Sequence, residues 1–483
     1  MKIKYLPLED RQNLRMLRHA KTPGEIAAIL NPVGYRMPTL QVIWAYRKYF
    51  YKLTHEEYEK YMNLKVGLAL IKVMEGNLDE AKRIIDSLPD NTLQKLYCQI
   101  MYPTTTYEEH IALVKKMKEL NIHMPSMTIT AGRPSVLSGV WDFTDLIDGL
   151  LQDDQSTKDI FTVLFEEKGS EVVEVLKAEI LYQRDEIYEA LVKVVGLIPF
   201  LRDKKDMRLL FVALTLQCYI MVLNDHATAS TPMIEALREQ IITAGLEEYI
   251  PNIDALEAWA AMYDGDYAKV VTWLNHDDPD EFGKFNMLNL FRYMVKIRAY
   301  IIQGKYLAIT SLASRLKPLL QASRRYMDLC ELEVLWAISE HARGEIDSAF
   351  QHLEDALFLA EKFRFDRVIS DQGKRVYDLL VLYKKVKGST PYIDRVMKLS
   401  KKIAMYNPGY LKTQLPEAPK LTKTELYVLR LLEQGLSNAE IASITKTTVD
   451  NAKFHCKKIY SKLEVSSRHQ AVKRAKEIGI LNQ

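Results

Sequence analysis

The chain has 483 residues, 48% of them hydrophobic and 27% charged, which are the proportions of a soluble, well-packed protein. This length allows about three average domains, or one long helical solenoid followed by a small module. The net charge of +3 conceals an asymmetry, because residues 421–483 hold eleven Lys and Arg against six Asp and Glu, or +5, leaving −2 for the other 420 residues. The near-neutral body is therefore not expected to bind nucleic acid by itself, whereas the C-terminal end is positive.

Cysteine usage and hydropathy bound the cellular compartment. The four cysteines are Cys98, Cys218, Cys330 and Cys456. Their wide separation offers no metal-ligand spacing and indicates reduced, buried thiols. The first residues lack the apolar run of a signal peptide, and the most apolar stretch, Leu209 to Leu223, is too short to span a bilayer. We therefore expect a cytoplasmic protein in which this stretch forms a buried helix.

Two segments near the N-terminus fit no repeat. Residues 1–60 contain the turn sequence Asn31-Pro32-Val33-Gly34 and an aromatic helix around Trp44 to Tyr51, and they are predicted to form an N-terminal helical cap. Residues 120–158 are predicted to form loops over the helical body because they are rich in helix-breaking residues. These residues are Pro125, Gly132, Pro134 and Gly139.

Residues 61–404 show helical periodicity and a recurring turn. In each copy a turn residue is followed by a large apolar residue two positions later and a small or aliphatic residue five positions later. The copies are Gly76, Leu78 and Ala81; Asp185, Ile187 and Ala190; Gly265, Tyr267 and Val270; Gly304, Tyr306 and Ile309; and Gly344, Ile346 and Ala349. A glycine lets one helix end, and the later small residue lets the next helix pack against it. The pattern predicts an all-α fold in which tetratricopeptide-like hairpins stack into a solenoid.

The run from Leu353 to Tyr383 resembles the helical-repeat domain of the MalT (maltose-operon activator) family, as do the segments 133–137 and 177–179. The resemblance implies a sensor or interaction domain. Larger members carry an ATP-binding domain ahead of the repeats, but the Gly-Lys pairs of this chain lack the upstream glycine and the following Ser or Thr of a phosphate-binding loop. We therefore expect no nucleotide cofactor.

The aromatic residues of the solenoid have two interpretations. Trp259, Trp273 and Trp336 occur at helical spacing, which favours core positions. The alternative is a ligand groove, since solenoids present long concave surfaces. We expect an effector or protein partner to bind the inner face, but the sequence assigns no residues to that site.

Residues 405–420 are predicted to be a linker, since Pro408, Pro416 and Pro419 exclude a continuous helix. We expect this linker to tether the following module and to leave it partly mobile.

Residues 421–483 are predicted to form four short helices. Capping boxes, in which Glu or Gln follows a hydroxyl residue after three positions, begin at Thr422, Ser437 and Ser467. Gly435 and Gly479 stand where the first and fourth helices end. Thr448 can cap the third helix, predicted from about Val449 to Leu463.

The third helix has two distinct faces when its residues are placed at 100° intervals. The core-facing residues are Ala452, Cys456, Ile459 and Leu463. The opposite face holds Lys453, Phe454, Lys457, Lys458 and Ser461. A cationic helix after the tight turn at 444–447 is typical of entry into the DNA major groove. The alternative is a solvated basic face with Phe454 packed on a neighbouring domain.

From Leu421 to Leu481 the sequence resembles the LuxR-type helix-turn-helix domain. The match rests on motifs such as Gly435-x-Ser437-Asn438-x-Glu440-Ile441-Ala442 and Lys453-x-His455-x-x-x-Ile459-Tyr460-x-Lys462-Leu463. The resemblance implies that Lys453, Phe454 and Lys457 face base edges. It also places Ser437, Asn438, Asn451, His455 and several basic groups near phosphates. The full set of expected phosphate or flanking contacts is Ser437, Asn438, Thr448, Asn451, His455, Lys458, Ser461, Lys462 and Arg468.

Five positions depart from the family pattern. Asn451 replaces a threonine, Ala452 a valine, and Thr445 and Thr447 replace apolar residues. Glu464 replaces the glycine that follows the recognition helix, where a left-handed residue other than glycine is strained. These changes affect stability and phosphate contacts more than the implied function.

Catalytic and metal sites are not predicted. The segment 276–281 is acidic, but clustered carboxylates around a proline usually form a solvated loop. The ten histidines show no zinc-ligand spacing, and the nucleophile motif Gly-x-Ser-x-Gly does not occur. We therefore expect a non-enzymatic protein without a metal or other cofactor.

These observations predict a tetratricopeptide-like α-solenoid followed by a four-helix LuxR-type domain. The implied function is a bacterial transcription regulator in which the body senses an effector or partner and controls pairing of the DNA-binding modules, as a dimer or higher oligomer on promoter DNA. The alternative is a protein-interaction scaffold in which the C-terminal module is mainly a partner site.

Overall fold

The computed structural model describes residues 6–34, 40–123, 133–139, 141–152, 154–224, 227–280, 285–412, 421–463, 465, 467–477 and 481. No strand occurs in those ranges, where the β structure is limited to one isolated bridge between Ser138 and Asp142. The chain divides into two compact units, of which the first ends at Lys412 and the second contains the C-terminal residues. The predicted all-α fold is confirmed.

Ten helices precede the main run of hairpins. They are α1 Leu8–His19, α2 Pro23–Leu30, α3 Leu40–Phe50, α4 His55–Lys60, α5 Met62–Met74, α6 Leu78–Asp86, α7 Leu93–Ile100, α8 Tyr107–Glu119, α9 Ile147–Leu151 and α10 Gln155–Phe165. The predicted aromatic helix corresponds to α3.

Thirteen further helices complete the larger part of the chain. They are α11 Gly169–Gln183, α12 Ile187–Asp203, α13 Met207–Leu223, α14 Ala227–Thr243, α15 Ile250–Asp264, α16 Tyr267–His276, α17 Leu290–Ile302, α18 Tyr306–Ala322, α19 Tyr326–Arg343, α20 Ile346–Phe363, α21 Asp366–Ser370, α22 Gly373–Lys387 and α23 Pro391–Tyr406. Most consecutive helices of this set contact each other, for example α12 with α13, α18 with α19 and α19 with α20.

All five predicted hairpin turns are present. Their turn residues adopt positive φ, namely Gly76 (74°), Asp185 (64°), Gly265 (77°), Gly304 (66°) and Gly344 (82°). In each case the next helix begins two residues later. The residues five positions after the turn are at most 1% exposed, and they are Ala81, Ala190, Val270, Ile309 and Ala349. The turn therefore closes one helix and seats the next against it, as the spacing predicts.

The physical basis of the turn is clearest around Gly265. The amide of Asp266 donates to the carbonyl of Ala261 at 3.0 Å, which satisfies a group at the end of α15. The Asp266 side chain then accepts from the Lys269 amide at 3.2 Å and caps α16. Lys205 (φ 53°) and Arg324 (φ 50°) form equivalent turns that a search centred on glycine does not reveal.

The core of the body includes two helices that are buried on nearly all sides. Helix α13 contains the apolar stretch from Leu209 to Leu223, which confirms the predicted buried helix. Every residue of α19 from Met327 to Glu340 is buried. The three tryptophans are also buried, as predicted, with exposed fractions of 4–9%. Among the described residues, no helix has the length and apolar character needed to cross a membrane.

The predicted loop segment 120–158 is only partly irregular. Residues 133–143 form turns, but helix α9 and the start of α10 occupy much of the rest, so the prediction of loops there was wrong. Leu146, Ile147 and Leu150 are buried, and this apolar packing stabilises α9. The prolines and glycines nearby in the sequence had led to the prediction of loops instead. Pro125 and Gly132 lie outside the described residues.

The C-terminal unit contains four helices, as predicted. They are α24 Lys423–Glu433, α25 Asn438–Ile444, α26 Val449–Lys462 and α27 Arg468–Glu477. Both halves of the capping boxes at Thr422 and Ser437 form, and Ser467 accepts from the Gln470 amide at 3.3 Å. Gly435 has a φ of 82°, which closes α24. Gly479 lies outside the described residues.

Candidate nucleic-acid interface and interior cavity

Helix α26 is positioned by its N-terminal cap and by its apolar face. Thr448 Oγ1 accepts from the Asn451 amide at 3.2 Å and begins the helix. The core-facing residues are Ala452, Cys456, Ile459 and Leu463, all at most 3% exposed. Burial raises the pKa of the Cys456 thiol, which keeps it protonated. The predicted core face is confirmed, and it fixes the direction of the opposite face.

The opposite face of α26 is exposed to solvent. It consists of Lys453, Phe454, Lys457, Lys458 and Ser461. Phe454 is 52% exposed, and the Lys458 ammonium lies 4.7 Å from the centre of its ring. Lys453 reaches Asp450 at 3.4 Å, a contact between exposed side chains that contributes little to stability. This face therefore presents three ammonium groups and an aromatic ring that folding of the unit does not require.

Several predicted flanking residues surround this face. Ser437 begins α25, and its hydroxyl already accepts from the Glu440 amide. The side chains of Asn438 and Arg468 are joined, since Arg468 Nη2 donates to Asn438 Oδ1 at 3.3 Å. Asn451 is exposed, whereas His455 is half-buried. This bond links α25 to α27, and both helices also contact α26.

Lys462 has a structural contact that the sequence did not reveal. Its ammonium lies 2.6 Å from a carboxylate oxygen of Glu425, a residue only 3% exposed at the start of α24. Burial by itself would raise the pKa of Glu425, but hydrogen bonds from Lys462 and Thr422 outweigh it and hold this pKa below its ordinary value. Lys462 therefore links α26 to α24 besides any phosphate contact.

The turn between α25 and α26 accommodates the departures at Thr445 and Thr447. Thr445 Oγ1 donates to the Ile441 carbonyl at 2.7 Å and lies 2.9 Å from the Thr447 hydroxyl. Lys446 takes the left-handed conformation at φ 52°, which the sequence did not indicate. Both threonine hydroxyls are satisfied locally, so the turn tolerates them. Glu464 lies outside the described residues.

The C-terminal unit thus places a capped cationic helix directly after a short helix and a tight turn. The family model described as "Bacterial regulatory proteins, luxR family" matches residues 419–475.

The C-terminal domain belongs to the LuxR family.

The protein is accordingly a DNA-binding transcription regulator. A second family model, described as "MalT-like TPR region", matches residues 165–386 and confirms the resemblance of the helical body. The matched range contains the turns at Asp185, Gly265, Gly304 and Gly344. The hairpin of α5 and α6 has the same turn at Gly76, although it precedes the match. Neither of the matched families is enzymatic.

The MalT-like TPR region encloses a cavity between its helices. The aromatic residues of its wall include Tyr182, Tyr219, Trp259 and Tyr263. The charged residues of its wall are Arg133, Glu179, Arg298, Glu331, Arg367 and Asp371. Trp259 is therefore both a core residue and part of the cavity wall. The mixture of guanidinium groups, carboxyl groups and rings makes the cavity a polar site within an apolar core.

Burial controls the ionisation of the carboxyl groups in the cavity. Burial raises the pKa of Glu179 to about 7, although the amides of Val136 and Leu137 donate to it at 2.8 and 3.0 Å. Burial likewise raises the pKa of Asp371 to about 6, against the favourable charge of Arg367. Both carboxyl groups therefore gain or lose a proton near neutral pH. Each can act as a hydrogen-bond donor when protonated and as an acceptor when ionised.

Four polar atoms of the cavity wall form no hydrogen bond within the described residues, namely Gln183 Oε1, Arg367 Nε, Arg367 Nη2 and Asp371 Oδ1. Arg367 Nε and Asp371 Oδ1 face each other as an ion pair, which leaves Arg367 Nη2 and Gln183 Oε1. The other Arg367 nitrogens face Asp185 at 3.0 Å and Asp371 at 2.7 Å. A buried donor and a buried acceptor that lack partners are costly to leave unsatisfied, so they are suited to a bound molecule or water.

The predicted linker supplies part of the support of this cavity. Residues 407–412, which we term the linker anchor, follow α23 and pack on the repeats. Tyr410 is 1% exposed and stacks on Tyr263 with ring centres 3.7 Å apart, while Arg298 Nε donates to its hydroxyl at 2.9 Å. Arg375 Nε donates to the Leu411 carbonyl at 2.9 Å. The first part of the predicted linker is therefore packed on the repeat body, whereas Pro416 and Pro419 lie outside the described residues.

One cluster within the described ranges has the spacing of metal ligands, namely Glu333, His352 and Asp355. Lys317 lies between the carboxylates, 2.6 Å from Glu333 and 2.9 Å from Asp355. The ammonium occupies the position that a cation would take, so the cluster is an internal ion-pair network. In the acidic segment 276–281, Asp278 likewise pairs with Lys296 at 2.5 Å.

Proposed function

We propose that this LuxR-family protein is a sequence-specific regulator whose repeat body senses an effector or partner and controls pairing of its C-terminal modules on promoter DNA. The observation that carries the proposal is the exposed cationic face of α26 on a LuxR-family fold. The compartment implied is the bacterial cytoplasm, where promoter DNA is found.

The α26 face provides both kinds of contact that specific binding requires. Lys453 and Lys457 are suited to donate to guanine O6 and N7, and the Phe454 ring to contact a thymine methyl group. Lys458 and Ser461 at its edge, with Ser437, Thr448 and Asn451, are exposed and would contact phosphates. Asn438, His455, Lys462 and Arg468 complete the proposed flanking set. The contacts of Arg468 with Asn438 and of Lys462 with Glu425 would orient the helices rather than read sequence.

We expect two DNA-binding modules to act together because a single module is small. A single helix-turn-helix reads only a few base pairs, and two modules on half-sites one helical turn apart supply affinity and register. The repeat body would control how readily two chains present their modules together.

The interior cavity supports a small molecule as the effector. Its enclosed position among helices suits a metabolite better than a protein partner. Its wall holds three arginines, and also Glu179, Glu331 and Asp371, which disfavour a polyanion. The open atoms, Arg367 Nη2 and Gln183 Oε1, match a small polar ligand that both accepts and donates hydrogen bonds.

The linker anchor provides the connection between cavity and module. Arg298 lines the cavity and also holds Tyr410, and Tyr263 lines the cavity and stacks on the same ring. A ligand that repositions Arg298 or Tyr263 would alter how firmly residues 407–412 are held. The length of chain free to carry the DNA-binding module would change accordingly.

Replacing Tyr410 with alanine should release the linker anchor. The substitution removes the ring stack, the contact with Arg298 and a fully buried side chain, and losses of this kind cost about 3–5 kcal/mol. Trypsin cleavage at Lys412, followed on gels over time, should accelerate by at least about tenfold. Tyr406→Ala, at a tyrosine that is 42% exposed in the same segment, is the matched control and should leave the rate unchanged. Equal cleavage rates for both variants would refute the anchor.

Sequencing of genomic fragments bound by the full chain tests the proposed function. A regulator that pairs its modules should enrich one motif with two related half-sites spaced by about 10 base pairs or a multiple of this. The Lys453→Glu/Lys457→Glu variant, which changes only exposed side chains of α26, should recover no motif. A scaffold whose C-terminal module is a partner site would give no enriched motif with the unmodified protein either.

A further inference from the structure

Helix α12 carries an exposed apolar stripe on the repeat body. Its members are Tyr188 (75% exposed), Val192 (55%), Val195 (48%) and Phe200 (43%). No other helix of the described chain has four large hydrophobic side chains so exposed. The spacing of four, three and five residues keeps them on one side of the helix. We term this set the α12 stripe.

The α12 stripe is not the core-facing side of the helix. The core-facing residues are Ala190, Val194, Ile198 and Leu201, which are buried against neighbouring hairpins. A surface helix ordinarily has a polar outer face, so apolar side chains on both faces indicate that the outer one is covered by something. Gly196 lies beside the stripe, and a Cβ added there would meet no atom within 4 Å, which leaves room for a close helix–helix approach.

The charges at the two ends of α12 identify the partner. Glu186 and Glu189 lie exposed at its start. Arg202, Lys204 and Lys205 lie exposed at its end, where Asp203 reduces their sum to +2. Within the described ranges no ion pair is formed by Glu186, Glu189, Arg202 or Lys205. The Lys204 ammonium lies 5.6 Å from the centre of the Phe200 ring. One end is thus −2 and the other +2, so a surface of this pattern is complementary to its own antiparallel copy.

We infer that α12 pairs with α12 of a second copy of this chain, antiparallel and about a twofold axis near Gly196. In this arrangement Val195 meets its equivalent near the axis, Val192 faces Phe200 of the second copy, and each acidic end faces a basic end, twice per dimer. A parallel arrangement would place like charges together. The stripe, about 18 Å from Tyr188 to Phe200 at 1.5 Å per residue, is smaller than a standard interface of roughly 800 Å² per partner. The association should therefore be weak, in the micromolar range, and be reinforced when two modules occupy neighbouring DNA half-sites.

Analytical ultracentrifugation of the full chain over a concentration series tests this pairing without DNA. The unmodified protein should show a monomer–dimer equilibrium. Val192→Glu/Val195→Glu should weaken it by at least tenfold, because four carboxylates would be buried in the apolar interface without partners. Leu307→Glu is the matched control, since Leu307 is 73% exposed on α18 and lies off the stripe. Circular dichroism melting should show that all these surface variants remain folded.

A charge exchange tests the antiparallel direction. Glu186→Lys/Glu189→Lys and Arg202→Glu/Lys204→Glu should each weaken the dimer, and the quadruple variant should restore it because opposite charges face each other again. Gly196→Cys, close to the axis, should crosslink rapidly with a short bismaleimide, whereas Tyr188→Cys, far from the axis, should not. The four native cysteines are buried and should not contribute to crosslinking.

A chain that stays monomeric, a Val192→Glu/Val195→Glu variant that dimerises normally, or a quadruple variant without recovery would each overturn the inference. The inference deepens the proposed pairing by giving it a surface, and the two can fail separately. A dimer that recovers no DNA motif would contradict only the proposed function. A monomer that recovers a motif with paired half-sites would contradict only the α12 pairing.

Discussion

Replacing Lys453 and Lys457 together with alanine is expected to weaken binding to a specific promoter by at least about 100-fold. Each good contact to a base edge contributes roughly 1–3 kcal/mol of discrimination, and the proposed interface contains two such contacts. Most of the loss should appear as lost discrimination between the enriched motif and random DNA. Fluorescence anisotropy with both kinds of fragment at several salt concentrations measures this.

The fold should not confound that result. Lys453 and Lys457 are exposed, and the contact of Lys453 with Asp450 is at the limit of hydrogen bonding at 3.4 Å. Lys458→Ala provides a contrast, because loss of one phosphate contact should weaken all sequences equally and lower the log–log salt slope by about one. Lys423→Ala, an exposed lysine at the start of α24, is the control for charge alone. Unchanged affinity and slope in the double variant would exclude this face of α26 as the DNA interface.

The C-terminal unit could be predicted almost completely from sequence because its determinants are local. A capping box joins residues three positions apart, and the faces of α26 follow from helical periodicity alone. What the sequence did not reveal there depends on contacts between helices. Lys462 reaches Glu425, which is 37 positions away, and Arg468 reaches Asn438 across 30 positions.

The hairpin turns of the body were predicted at four glycines and at Asp185, but those at Lys205 and Arg324 were overlooked. Lys205 and Arg324 adopt the left-handed conformation although their side chains disfavour it. The helix-closing bonds explain this, since the amides of Asp206 and Arg325 reach carbonyls five residues earlier at 3.0 Å. Packing of the adjacent helices determines these turns, so composition at the turn itself carries little information.

The interior cavity and the linker anchor were beyond sequence reasoning. Arg298 and Tyr410 are 112 positions apart, and Tyr263 stacks on the same tyrosine from another helix. The segment around Pro408 has the composition of a flexible linker, and the burial of Asn407, Tyr410 and Leu411 distinguishes it from one. Contacts between residues far apart in the sequence determine the conformation of this segment, and helical periodicity does not reveal such contacts.

Replacing Asp328 with alanine is expected to produce the largest loss of stability in the repeat body. Asp328 is fully buried on α19. Its carboxylate accepts from Arg133 Nη1, Arg325 Nε and Ser138 Oγ, each at 2.7 Å. Removing it leaves two buried guanidinium groups with fewer partners, and breaking a buried ion pair in this way costs about 3–5 kcal/mol. Thermal unfolding of the full chain should show a midpoint lower by about 4–6 °C.

Asp347 provides the matched control, since it is an exposed aspartate near the start of the neighbouring helix α20. Asp347→Ala should change the unfolding free energy by no more than about 0.5 kcal/mol. Asp328→Asn keeps the shape and part of the hydrogen bonding, so its loss should lie between those of the two alanine variants. Arg133 retains Glu331 and Arg325 retains the carbonyls of the 138–139 turn, which limits the damage to the junction between that turn and α19.

The pH dependence of this loss distinguishes an ionic role from simple packing. Burial alone would raise the pKa of Asp328, but Arg325 and Arg133 outweigh it and hold this pKa below its ordinary value. A carboxylate with a lowered pKa contributes stability that is complete above the unfolded value of about 3.9 and is lost as the pH falls through the folded value. The difference in unfolding midpoint between the unmodified protein and Asp328→Asn should therefore be constant from neutral pH to about pH 5 and shrink in stronger acid. A difference that stays the same at pH 3 would show that Asp328 acts by packing, and that the arginines beside the cavity are held in place by other groups.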